Sequence, residues 1–251
     1  MVATTRTTTK TFKKITNAWV NRTLPDIFYE EPEPVEDGVL QESPLMRIIN
    51  LLRELFEDRP DVFMSGMVFV SYDETNGNAR VAPDFFIAFD VPNESIRRNL
   101  PNFWIWEIGK APDFALEVAS QSTALNDLGH KRDLYAELGI AEYWRFDPTG
   151  GDYYGQPLAG ERLVEGEYRQ YELQEEADGS VIGYSPLLEV DFYWDGNEFD
   201  VLDPVTGRTI DKRIAAEERA DAAEERADAA EARNRELLTE IERLRHQISE
   251  K

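Results

Sequence analysis

A chain of 251 residues, 41% hydrophobic, has room for one large domain with appendages. It has no cysteine and only His130 and His246, which excludes disulfides, thiolate metal sites and a multi-histidine zinc site within one chain. Its net charge of −23 argues against broad, sequence-independent binding to nucleic acid, which needs Lys and Arg against phosphates. No apolar run reaches the roughly 18 residues of a membrane span, so no membrane segment and a cytoplasmic location are expected. Any metal must be held mainly by carboxylates, which favours a hard ion such as Mg²⁺ or Mn²⁺.

Residues 1–42 read as an N-terminal tail and connector. Before Pro25 the segment carries Arg6, Lys10, Lys13, Lys14 and Arg22 and no acid. It faintly resembles a transit peptide, but its Thr-rich composition reads more simply as a disordered tail. The acidic, Pro-rich "EEPEPVEDG" follows.

A folded domain is expected over 43–210. Ser43 is a plausible N-cap with Pro44 in the first helical position. Leu45, Ile48, Ile49, Leu52, Leu55 and Phe56 then recur at helical spacing. Residues 62–72 and 79–89 read as strands joined at the hairpin signal Asn76-Gly77. "FWIWEIG" is a strand or an aromatic lid. "PDFALEVAS" (112–120) is a strand with a misfit: Glu117 stands in an apolar run, on one face with Asp113 and two alanines. A buried unpaired carboxylate is costly or takes up a proton, so a positive partner is expected, either a side chain or a metal ion. Residues 123–138 read as one helix with Leu125, Leu128, Leu134 and Leu138 as its stripe, stopped by Gly139. "AEYWRFD" is the next strand, with Tyr143 and Trp144 packing the core. Short strands from Tyr153 to Trp194 form an antiparallel extension. The order helix, strands, helix, strand predicts an α/β fold, a mixed sheet flanked by helices.

Residues 211–251 read as a coiled coil. "AAEERAD" occurs twice in succession from Ala215. Register a takes Ala220, Ala227, Asn234, Ile241 and Ile248; register d takes Ala216, Ala223, Ala230, Leu237 and Leu244. Late Ile at a, Leu at d and Asn234 at a favour a parallel homodimer through 215–251. The alternative is a single solvated helix.

"PDFALEVASQST" followed by "DLGHKRDLYAELGIAEYWRFDP" closely resembles the Uma2 family, endonucleases of the PD-(D/E)XK, restriction endonuclease-like fold. The resemblance runs from about Ser43 to Asp147 and into some later strands. It implies a four-strand mixed core sheet with catalytic carboxylates at adjacent strand ends. Asp84 matches the first acid and Glu117 the second. The lysine usual two residues later is Ala119 here. Lys131 on the following helix replaces it, with Tyr135 four residues on and on the same helical face. The implied activity is Mg²⁺- or Mn²⁺-dependent hydrolysis of DNA, with Asp84 and Glu117 holding the metal and Lys131 and Tyr135 completing the catalytic set. A positive rim around Glu117, drawn from Arg80, Arg97, Arg98, Lys110, Lys131 and Arg132, is expected of an active enzyme.

Quieter readings stand beside these. Asp84 follows Pro83 and could serve a turn; Glu117 could pair with Lys131 or Arg132 as a buried ion pair; Asp113 could end a turn. Lys131 could face water, and His130 beside it could be structural. The whole chain could be an inactive nuclease-fold module dimerised by its tail, or an adaptor recruiting a coiled-coil partner.

Overall fold

The computed structural model describes residues 39–56, 58–66 and 68–210, together with Arg226, Arg233 and Arg235, each helical. The chain divides into two compact units, Met1–Thr206 and Gly207–Lys251. Most of the N-terminal tail, the heptad core and the parallel dimer expected from it lie outside the described residues. Among the described residues no helix is long and apolar enough to cross a membrane.

The first unit opens with α1 (Val39–Phe56). Leu45, Ile48, Ile49 and Leu52 form its buried face, the i, i+3, i+4, i+7 pattern of an amphipathic helix. The helix begins before the Ser43-Pro44 signal, so Pro44 lies inside it and not at its first position. Proline there forfeits one backbone hydrogen bond. The apolar face offsets that loss, since each buried Leu or Ile contributes ~1.5–3 kcal/mol.

The strands are β1 (Val62–Ser65), β2 (Val70–Ser71), β3 (Arg80–Val81), β4 (Phe85–Phe89), β5 (Phe103–Trp104), β6 (Phe114–Val118), β7 (Glu142–Phe146), β8 (Leu158–Val164), β9 (Glu167–Gln170), β10 (Gln174–Glu175), β11 (Val181–Ser185), β12 (Val190–Trp194) and β13 (Phe199–Leu202). The further helices are α2 (Asn93–Asn99), α3 (Ile105–Ile108), α4 (Ala124–Leu128) and α5 (His130–Leu138). The main sheet has six strands in the order β1-β4-β6-β7-β8-β9, two more than the expected four. Its pairs are antiparallel except β6 with β7, where α4 and α5 make the crossover that a parallel pair requires. A four-stranded meander, β10-β11-β12-β13, supplies the antiparallel extension. A small third sheet runs β3-β2-β5.

The two long strands expected at 62–72 and 79–89 are each divided between sheets. β1 and β4 pair in the main sheet, whereas β2 and β3 pair in the small one. The breaks fall at Gly66 and Pro83, residues that weaken or cannot donate to a ladder. The "FWIWEIG" segment is a short strand followed by a helical turn. Phe103–Trp104 pairs with β2, and Trp104 stacks on Trp106 at 5.4 Å.

One face of the main sheet presents Phe63, Phe86, Ala88, Ala115 and Tyr143 to Leu134 and Tyr135 of α5 and to Ile96 of α2. On the other face Phe114 and Phe146 meet Phe192 and Phe199 of the meander. Arg47 clips α1 to β13, with its Nε donating to the Phe199 carbonyl at 3.0 Å and its Nη2 3.2 Å from Asp200 Oδ2. Trp144 is fully buried. Its ring lies where a Cβ at Gly160 would come within 2.6 Å, so only glycine fits there.

Candidate active site

Antiparallel pairing sets Phe85 against Leu116, which brings Asp84, just before β4, beside the C-terminal end of β6. Asp84 is half-buried. Its Oδ2 accepts the Val118 N–H at 2.8 Å, and its own N–H reaches Glu117 Oε2 at 3.3 Å. The backbone there is held close. A Cβ at Gly66 would stand 2.8 Å from the Asp84 carbonyl oxygen and 2.9 Å from Ile49 Cδ1.

Glu117 is fully buried. Lys131 Nζ donates to its Oε2 at 2.9 Å and the Tyr135 hydroxyl to its Oε1 at 2.5 Å. Lys131 and Tyr135 lie one turn apart on α5, so the four residues singled out in the sequence (Asp84, Glu117, Lys131 and Tyr135) are brought together. The positive partner that the misfit required is Lys131. The buried ion pair and the candidate catalytic cluster are therefore one geometry.

The sequence reading missed Asp127. Its carboxylate is fully buried, with Oδ1 2.9 Å from Lys131 Nζ. Its Oδ2 accepts the Tyr154 hydroxyl at 2.8 Å, and its backbone carbonyl accepts the Tyr143 hydroxyl at 2.9 Å. The signal was present, since Asp127 and Lys131 are four apart, the spacing used for Lys131 and Tyr135. Residues 123–138 are not one helix: α4 and α5 break at Gly129. The expected leucine stripe fails with it, because Leu125 is 87% exposed and Leu128 37% exposed.

The cluster holds three carboxylates (Asp84, Glu117 and Asp127) against one ammonium. Burial, and then the charge of Asp84, pushes the Glu117 carboxyl well above its ordinary value. Burial also raises Asp84. Burial alone would lower Lys131, but the charges of Glu117 and Asp127 outweigh it and raise the ammonium's pKa. Tyr135 is raised by burial and by Glu117 beside it, so it stays a hydrogen-bond donor.

Among the described residues, no group of three or more His, Cys, Asp or Glu side chains is arranged to hold a metal ion. Asp84 and Glu117 offer two carboxylates and no softer donor. That set suits a small hard ion, which usually takes one or two carboxylates and fills its other positions with water.

The surrounding cations are mostly matched. Lys110 sits 2.7 Å from Asp113, which also accepts the Phe89 N–H, so Asp113 ties a turn and does not join Glu117. Arg98 pairs with Glu94 and Arg132 with Glu161, while Arg80 lies over the Phe69 ring. His130 is exposed. Arg97 is the exception: it bonds the Met64 carbonyl and Asn93 and has no carboxylate partner among the described residues. Among the described residues, the cations expected to form a positive rim around Glu117 are thus mostly paired, and Arg97 is left without a carboxylate partner.

No curated protein matches the chain. A solved structure from Anabaena variabilis, described as "a putative nuclease belonging to DUF820", is 13% identical, with a TM-score of 0.43 over 62% of this chain and 76% of that one. The family model "Uma2: Putative restriction endonuclease" matches residues 28–192, well over half of the 251. That span contains both strand-end acids, Asp127, Lys131, Tyr135 and the whole main sheet, and the chain belongs to the Uma2 family.

Proposed function

We propose that this protein is a metal-dependent endonuclease hydrolysing DNA phosphodiester bonds, with Asp84 and Glu117 holding Mg²⁺ or Mn²⁺ and Lys131 assisting. The observation that carries this reading is the charge imbalance of the buried cluster. Two fully buried carboxylates, Glu117 and Asp127, share Lys131, and half-buried Asp84 stands beside Glu117, which leaves a deficit of positive charge that a divalent cation would fill. When bound, such an ion lowers the pKa of its water and neutralises charge developing on the scissile phosphate.

The chain's own groups have definable tasks. The Val118 N–H fixes the Asp84 carboxylate, and Tyr135 fixes Glu117. Asp127 draws Lys131 toward the carboxylates and keeps it protonated. An ammonium so held is placed to donate to a phosphate oxygen as its charge grows. Ala119 leaves the usual lysine position empty of charge, and Lys131 enters from α5 instead.

The test is cleavage of supercoiled and linear DNA with Mg²⁺ or Mn²⁺, comparing wild type with Glu117→Gln and Asp84→Asn, each checked for folding. Metal-dependent cutting lost in both variants is the expected result. A wild type that neither cuts DNA nor binds metal by calorimetry sinks the reading. A second reading, an inactive nuclease-fold interaction module, would then stand on Lys131 and Tyr135, which already occupy both oxygens of Glu117.

A further inference from the structure

We propose that the hollow between the last turn of α1 and helix α2 is a phosphate-backbone clamp, in which Arg53 and Arg97 grip a DNA phosphate remote from the cut. The inference rests on the nuclease reading and adds a substrate contact to it. The hollow is lined by Asn50, Arg53, Glu54, Met64, Asn93 and Arg97, with Phe56 at its side. It lies on the edge strand β1, with α1 on one side and α2 on the other.

Three observations support it. Among the described residues, Arg47, Arg59, Arg98, Lys110, Lys131, Arg132, Arg145 and Arg169 each have a carboxylate within 4.0 Å. Among the described residues, Arg53 and Arg97 have no such partner, and they share one hollow. Second, Arg97 is held in place. Its Nη2 donates to the Met64 carbonyl at 2.8 Å, its Nε to Asn93 Oδ1 at 2.8 Å, and its guanidinium lies 4.8 Å from the Phe63 ring centre. A guanidinium anchored on one edge keeps its other N–H groups for a ligand. Third, the two arginines oppose each other. Burial, and then the charge of Arg53, depresses the Arg97 pKa. The hollow's lining includes one acid, Glu54, beside the two guanidiniums, so a bound phosphate adds negative charge where two positive charges repel.

Position agrees. Met64 pairs with Ile87, three residues along β4 from Asp84. At about 3.3 Å per strand residue, the Arg97 anchor lies about 10 Å along the sheet from Asp84. Arg53 and Arg97 each stand in the last turn of a helix, where a cation complements the helix end. That placement does not require the two to line one hollow, nor Arg97 to be fixed by Met64 and Asn93.

The experiment is binding of a duplex DNA probe to the full chain, with Ca²⁺ replacing Mg²⁺, followed by fluorescence anisotropy across a salt series. Arg53→Gln and Arg97→Gln are each expected to weaken binding several-fold and reduce the slope of log K against log salt by about one. Glu54→Gln, which removes the hollow's acid, is expected to tighten it. Arg53 is exposed, so its variant tests the clamp even if Arg97→Gln unfolds. Affinity and slope unmoved by Arg53→Gln, in a protein that still cuts DNA, overturn the clamp and leave the nuclease standing. Arginine-dependent binding without any cutting keeps the clamp and sinks the nuclease. A chain that does not bind the probe overturns the clamp.

Discussion

Glu117 and Glu142 are both buried carboxylates, on the adjacent strands β6 and β7, and they are treated in opposite ways. Glu142 sits at the N-terminal end of β7 and receives four neutral donors. Trp144 Nε1 and Ser185 Oγ reach its Oε2 at 3.0 and 2.6 Å; Tyr171 OH and the Leu187 N–H reach its Oε1, both at 2.9 Å. Every strong acceptor direction is filled, and the group ties the main sheet to the meander. Glu117 sits at the other end of the parallel pair. It has one cation, one phenol and two further acids nearby. Ligands in open α/β sheets bind outside the carboxyl ends of parallel strands, and β6–β7 is the only parallel pair in this sheet. The contrast teaches how to sort buried acids: a carboxylate closed by neutral donors is structural, and one left in a charge imbalance is a candidate site.

The largest effect expected is in the paired substitutions Glu117→Gln and Glu142→Gln. The first is predicted to lower cleavage at least about a hundred-fold while the fold is kept. The second turns an amide toward four donors and is predicted to cost about 1–3 kcal/mol in denaturant unfolding, with kcat little changed. Equal loss of activity in both would erase the distinction. Next comes Lys131→Met, with cleavage falling by some tens-fold and stability falling because Glu117 and Asp127 lose their cation. Adding Glu117→Gln should recover stability and not activity. Stability that the second change does not recover would mean that the lost cation is not what destabilises the Lys131→Met variant.

Acidity sharpens the same comparison. Glu117 is pushed well above its ordinary value of 4.5 by burial and by Asp84. A raised folded-state pKa means that the metal-free fold binds a proton more tightly than the unfolded chain does. The stability this contributes is complete below the ordinary carboxylate range and is lost as pH rises through the folded value. A metal must displace that proton, so its affinity should tighten with pH by up to about tenfold per unit. Calorimetry in buffers of different ionisation enthalpy counts the released proton. Affinity that is flat with pH would place the metal elsewhere.

Local spacing made much of the candidate site legible. The misfit Glu117 and the Lys131–Tyr135 interval are short-range patterns, and so is the buried face of α1. Asp127 was equally local but was overlooked, because a helical acid reads as solvated and the Tyr154 hydroxyl that meets it is 27 residues away. Leu125 and Leu128 misled for the converse reason: the break at Gly129 turns them outward, and periodicity assumes an unbroken helix. The role of Glu142 was not legible at all. Its donors Ser185 and Leu187 are 43 and 45 residues away, and no local pattern announces them. Division of the expected strands between two sheets was hidden likewise, since alternation fixes a strand's faces but not its partner.

The smallest predicted effect probes whether the Glu117 network extends beyond its first contacts. Asp147 is fully buried at the end of β7. Its Oδ1 accepts the Thr149 N–H at 3.0 Å, and its Oδ2 accepts those of Tyr153 and Tyr154, each at 2.8 Å. This carboxylate, like Glu142, is closed by neutral donors, and it turns the loop so that the Tyr154 hydroxyl meets Asp127. Asp127 holds Lys131, and Lys131 holds Glu117. Tyr154→Phe removes one hydrogen bond from a buried acid and should cost about 1 kcal/mol of stability. If Asp127 positions Lys131, kcat should also fall a few-fold, with KM for DNA unchanged. A variant that loses stability and keeps kcat would confine the loop to packing. A rise in KM would bring Tyr154 to the substrate itself. An effect on kcat alone would join the two kinds of acid in one chain of contacts, with a structural carboxylate setting the loop that holds the charged one in place.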